Sequence, residues 1–100
     1  MKSEFPEFTG FEWDDGNRDK NRKHGVHGWE CEQVLFNKPL VTIDDPSHSI
    51  IEERCVAFGQ TDAGRRLVLV YTMRKGLVRV ISARDMNKRE RQFYETLDQE

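Results

Sequence analysis

The sequence predicts an α+β domain: a mainly antiparallel sheet of about four to five strands, two N-terminal helices and one C-terminal helix. Three observations predict it. Segments 66–74 and 77–84 are rich in β-branched residues and are separated only by Lys75-Gly76, the pattern of a hairpin. A polar run over 15–24 has aspartates at its start and Gly25 at its end, the punctuation of a helix. Asn87 followed by Glu90 has the form of a capping box and opens a last helix over 88–97.

Taken in order, residues 1–9 lack periodicity and contain Pro6, so they are read as a loose tail ahead of a single domain over 10–100. Residues 10–14 suit a short strand. Asp14 or Asp15 then caps the first helix, which offers little apolar face for packing. A second helix over 28–36 turns Trp29, Val34, Leu35 and Phe36 toward a core. Leu40 to Ile43 read as a strand that ends in the Asp44-Asp45-Pro46 turn, and residues 53–58 as another that stops at Gly59. Residues 60–65 carry loop chemistry. In the hairpin a two-residue turn pairs Arg74 with Leu77, Thr72 with Arg79 and Val70 with Ile81. Arg74, Thr72 and Arg79 then share one face. Leu67, Leu69, Tyr71, Met73, Val78 and Val80 line the other, which the helices are expected to cover; a bulge would flip part of this assignment. In the last helix Phe93, Tyr94 and Leu97 form the apolar stripe.

Composition bounds what such a domain does. With 100 residues, 36% hydrophobic and 34% charged, there is room for one modest core. No run approaches the length of a membrane span, and the first residues lack the apolar stretch of a secretory signal, so a cytoplasmic protein is expected. Two cysteines, Cys31 and Cys55, make no disulfide framework and are read as reduced thiols in or near the core. The net charge of −2 conceals an asymmetry. Residues 1–60 carry seven Lys/Arg against twelve Asp/Glu, whereas residues 61–91 carry nine against three. A basic block inside an acidic chain suits a local anion site; the plainer alternative is a solvated hairpin and helix.

Among chemistry-bearing residues, His24, His27 and Cys31 have spacings that touch on zinc binding, but no fourth ligand is near and glycines interrupt the face. No metal site and no cofactor are expected. There is no phosphate-cradling glycine loop and no nucleophile elbow. The remaining set suits phosphodiester cleavage without a metal. RNA brings its own nucleophile in the 2′-hydroxyl. The protein must take that proton, protonate the leaving 5′-oxygen and stabilise charge on phosphorus. His24, Glu52, Glu53, Arg54, Arg74, Arg79 and Arg84 are the candidates, with Lys20, Lys23, Arg79 and Lys88 as further RNA contacts. Each has a structural alternative: His24 as a cation at a helix C-terminus, Arg84 as a partner of Asp85 or of backbone carbonyls, Glu53 and Arg54 as a cross-strand pair. Tyr71 and Tyr94 fit a core, and Trp13 fits packing on the hairpin.

Six segments, in order over about residues 10–96, resemble one family. They are Phe11-Glu12-Trp13-Asp14; Asn21-x-x-His24-Gly25-Val26; Glu53-Arg54 ahead of Gly59; Tyr71-x-x-Arg74; Ile81-Ser82-Ala83-Arg84; and Glu90-Arg91-x-x-Tyr94-Glu95. Together they resemble BrnT-type toxins, the ribonuclease components of bacterial type II toxin–antitoxin systems, which have a RelE-like fold. The resemblance implies RNA cleavage without a metal, growth arrest, and neutralisation by a BrnA-type antitoxin that binds DNA itself, so that the toxin meets DNA only through it. By motif position it implies Arg84, Arg74 and Arg54 on phosphate and His24 or Glu53 in proton transfer. Two departures stand beside it: the acidic net charge with its N-terminal tail, and Gly28 where a helix start prefers a stronger former. Two other functions fit the same basic block. One is a catalytically inactive module that still engages an antitoxin; the other is a stand-alone RNA-binding domain.

Overall fold

The computed structural model describes residues 7–22, 24–44 and 54–98, with the backbone alone for 19–22 and 98. Its elements are β1 (Gly10–Phe11), α1 (Asp15–Arg22), α2 (Gly28–Phe36), β2 (Val41–Asp44), β3 (Cys55–Gln60), β4 (Arg66–Arg74), β5 (Leu77–Asp85) and α3 (Lys88–Asp98). The order of elements is the one the sequence predicts. The strands form one sheet in the spatial order β1-β5-β4-β3-β2. From β2 to β5 it is an antiparallel meander, but β1 lies parallel to β5, with Gly10 opposite Leu77 and Phe11 opposite Val78. That parallel pair departs from a simple meander. β1 reaches the open edge of β5 from across the whole chain, so no local turn dictates its direction.

Lys75 (φ 51°) and Gly76 (φ 80°) are both left-handed, as a two-residue turn that matches strand twist requires. Arg74 faces Leu77 and Thr72 faces Arg79, as the turn predicts. The third expected pair fails: Val70 stands opposite Ser82, and the register shifts between Val70 and Tyr71. Ile81 is thus the extra residue of a bulge. Its effect is large. Without it Arg84 would face Leu67 on the buried side; with it Arg84 faces Val68 and Ala83 takes the core position beside Leu69.

The main core lies between α2 and one face of the sheet. Cys31, Val34 and Leu35 of α2 meet Ala57, Leu67, Leu69, Tyr71, Val78, Val80 and Ala83 there. Gly59 allows the close approach, because a Cβ at that position would stand 2.7 Å from Val34 Cγ1. The expectation that all helices share this face is overturned. α3 packs on the opposite face, where Tyr94 and Met86 join Val68, Val56 and Phe58 in a second cluster. Tyr94 also donates its hydroxyl proton to the Pro39 carbonyl and so pins α3 to the α2–β2 connector. Its neighbour Phe93 stays exposed.

α1 is held by hydrogen bonds more than by apolar contact. Asn17 is buried; its amide donates to the Glu12 carbonyl (2.9 Å) and the Val80 carbonyl (3.0 Å), and its oxygen accepts from Asp14 N–H (2.7 Å). Asp14 Oδ1 in turn caps the Asn17 N–H, so the polar helix continues the sheet edge where β1 stops. α1 spans Asp15–Arg22, His24 already lies in the turn that follows, and Gly25 (φ 68°) is left-handed as expected. α2 begins at Gly28, and there the Trp13 ring lies 3.4 Å from where a Cβ would be. The glycine that looked like a weak helix start makes room for that ring.

Candidate functional site

Three clusters of charged residues arise from this frame. The first is organised by Arg65, in the loop between β3 and β4. Its Nη1 donates to the Gly25 carbonyl (3.0 Å) and to the Glu30 carboxylate (3.1 Å), while Nε and Nη2 clasp Asp85 (2.8 and 3.0 Å). Glu30 also accepts the His27 N–H at the start of α2 (3.0 Å). One guanidinium therefore joins the α1–α2 turn, the first turn of α2 and the end of β5. His24, exposed and next to Gly25, is carried to the Asp85 end of the sheet by this clasp. Cys31 is fully buried while His24 and His27 are exposed, and the His27 ring stacks on Trp29 (5.6 Å between centroids), so the three do not converge.

The second cluster sits at the start of α3. Asn87 and Glu90 exchange capping bonds (2.8 and 2.9 Å), as the capping box predicts. The Glu90 carboxylate also takes both Arg84 Nη groups (2.8 and 3.0 Å), and this pairing holds its proton affinity below the ordinary range. Arg84 thus pairs with Glu90 and donates to the Asp85 carbonyl (3.2 Å), while the Asp85 carboxylate points to the other face and belongs to Arg65. Lys88 is exposed in the first turn of α3, close by in the chain.

The third cluster lies at the hairpin end. Arg79 Nη1 donates to Glu12 Oε1 (3.0 Å) and Asp14 Oδ2 (2.7 Å), and Nη2 to Asp14 Oδ1 (3.1 Å). Arg74 Nη1 approaches the same Glu12 Oε1 at 3.5 Å. The bond to Arg79 lowers the pKa of Asp14 to about 2. Arg74 and Arg79 stand on one sheet face, as the register predicts, opposite the main core. Arg54 immediately precedes β3, whose first residue Cys55 pairs with Tyr71, so it falls beside Thr72 and at the same end as Arg74. By alternation from Cys55, which packs on the core, Arg54 belongs to the Arg74 face.

The expected site residues therefore divide. Arg54, Arg74 and Arg79 gather at the hairpin end, while Arg84, Lys88 and His24 lie toward the other end. Arg84 faces Val68, six positions along β4 from Arg74, a separation of about 20 Å along the strand. Arg84 and Arg74 cannot both hold one phosphate. Glu52, Glu53, Lys23 and the side chain of Lys20 lie outside the described residues. Sequence reasoning missed Arg65 as a clasp and Glu12 as the carboxylate between two arginines. For Arg65 no local pattern could have shown it, because its partners come from three distant segments. For Glu12 the sequence offered only its place within a short strand segment, because the pairing of β1 with the hairpin edge comes from the fold.

The fold and these clusters define a small α+β protein with an arginine-bearing sheet face, flanked by carboxylates that orient the guanidinium groups. Compared with family descriptions, residues 13–90 match the ribonuclease toxin BrnT of type II toxin–antitoxin systems. The chain belongs to that family. No curated protein sequence matches it. Among the described residues no helix is long and apolar enough to cross a membrane.

Proposed function

We propose that this chain is the toxin of a type II pair and an endoribonuclease that cuts RNA without a metal, by attack of a 2′-hydroxyl on the adjacent phosphate. The observation that carries the reading, beyond family membership, is the hairpin-end face, where Arg74 of β4 and Arg79 of β5 share Glu12 and where β3 begins directly after Arg54. Guanidinium groups in a row suit a polyanion and the extra charge that builds on phosphorus. In this reading Arg74 and Arg54 contact the reacting phosphate, and Arg84 and Lys88 hold the RNA backbone further along, together with Lys20 and Lys23. Glu53, next to Arg54 in the chain, serves proton transfer there. His24, at the far end, closes α1 and contacts flanking RNA.

The partner is a BrnA-type antitoxin, through which alone the toxin meets DNA, and the compartment is the cytoplasm. The partner reading is supported by large apolar side chains left at the surface, Trp29 and Phe36 on α2 with Ile43 and Phe93. RelE likeness of the meandering sheet is part of the same proposal. The test is induced expression in a bacterial host, following growth and total RNA. The wild type should arrest growth with loss of RNA, and Arg54→Ala/Arg74→Ala should grow normally. Normal growth of the wild type at verified soluble expression, or arrest that survives the double substitution, would contradict the reading.

A further inference from the structure

Glu12 has a geometry that the packing of β1 does not require. Its backbone N–H already extends the sheet to the Val78 carbonyl (2.9 Å), and its carbonyl is taken by Asn17, so the main chain is fixed without its side chain. The side chain nevertheless reaches onto the arginine face. The guanidinium contacts on Oε1 come from Arg79 at 3.0 Å and Arg74 at 3.5 Å, and Oε2 accepts no hydrogen bond among the described residues. Arg79 is only 16% exposed and is bound to two carboxylates, whereas Arg74 is 50% exposed. Arg79 is therefore a strut, and Arg74 is the more exposed guanidinium of the two. Asp14 has a structural task, since it caps α1 and clasps Arg79.

We propose that Glu12 is the general base of the ribonuclease reaction, held through one oxygen by Arg79 while the other oxygen faces the 2′-hydroxyl of an RNA whose phosphate lies on Arg74. This rests on the reading above and adds a residue to it. The step balances simply. Glu12 Oε2 takes the 2′-hydroxyl proton, the 2′-oxygen bonds to phosphorus, and the bond from phosphorus to the 5′-oxygen breaks. The 5′-oxygen leaves with a proton from solvent, giving a 2′,3′-cyclic phosphate. A base beside a phosphate-binding guanidinium acts at the point where proton loss and new charge meet.

The experiment is single-turnover cleavage of a labelled mixed-sequence RNA by the purified chain and by Glu12→Gln, which keeps the shape and the bonds to both arginines. Folding is checked by circular dichroism and RNA binding by filter retention at equal salt. Glu12→Gln should cleave about 10²–10⁴-fold more slowly with RNA binding within about threefold of wild type. If Glu12→Gln fails to fold, Glu12→Ala assayed with and without formate replaces it, and added formate should restore cleavage in proportion to its concentration. Cleavage by Glu12→Gln within threefold of wild type, or no response of Glu12→Ala to formate, overturns the assignment alone. A wild type that leaves RNA intact overturns the ribonuclease reading and this assignment with it.

Discussion

Arg65 donates to Gly25, Glu30 and Asp85, so its removal strands a nearly buried Glu30 carboxylate and frees the α1–α2 turn from the sheet. Hydrogen bonds to charged groups contribute about 1.5–3 kcal/mol each when lost from a site like this. Arg65→Ala should lower the unfolding free energy by about 2–4 kcal/mol, read from the urea midpoint. Arg65→Lys should recover little, because one ammonium cannot clasp Asp85 through two nitrogens while also reaching Gly25. At this scale the sequence was partly legible. The Asn87–Glu90 cap and the Gly25 stop follow from local spacing, and both are present. Arg84's bond to a backbone carbonyl was legible and is present, to Asp85 O (3.2 Å), but its carboxylate partner was not: the Asp85 side chain points to the other face, and Glu90 comes within reach only once α3 begins. Arg65 lay beyond any local rule.

Among the elements, the β5 bulge decides which residues the face presents. A one-residue slip moves every later side chain of β5 to the opposite face, and here it brings Arg84 out of the core layer and Ala83 into it. The turn at Lys75-Gly76 fixes the pairs nearest to it, and the sequence predicts those correctly. It does not announce the bulge, since Ile81 and Ser82 both tolerate a half-buried strand. The placement of α3 has the same character. Phe93 and Tyr94 are both candidates for burial, and only the second cluster around Val68 and Met86 selects Tyr94. The contact of α2 with β3 is tight enough to test. Gly59→Ala would set its methyl 2.7 Å from Val34 Cγ1 and 3.3 Å from the Val34 carbonyl oxygen. It should destabilise by about 1–3 kcal/mol. In a double-mutant cycle with Val34→Ala the combined loss should fall short of the sum, since the smaller side chain removes the clash.

For the whole molecule, the basic block of residues 61–91 is closely partnered by carboxylates. Glu12 and Asp14 meet Arg79, Glu30 and Asp85 meet Arg65, Glu90 meets Arg84, and Glu95 meets Arg66 (2.6 Å). The asymmetry read from the sequence is therefore real along the chain but largely paired off in space. Acid should expose this. Asp14, held at about 2 by Arg79, and Asp85 and Glu90, lowered by Arg65 and Arg84, all have depressed folded values. Their contribution is present above the ordinary carboxylate range near about 4 and is lost as the pH falls through the folded values. Urea midpoints should drop between about pH 4 and 2, and Asp14→Asn should flatten that dependence.

The arginine face at the hairpin end is the centre of the account, and purified protein tests it most directly. Labelled RNA would be incubated with the wild type and with Arg74→Ala in excess EDTA, and the new ends analysed. The wild type should cleave without added metal and give products ending in a 2′,3′-cyclic phosphate, and Arg74→Ala should lose about 10²–10³-fold in rate. Cleavage that requires a divalent cation, or an Arg74→Ala variant as fast as the wild type, would contradict it.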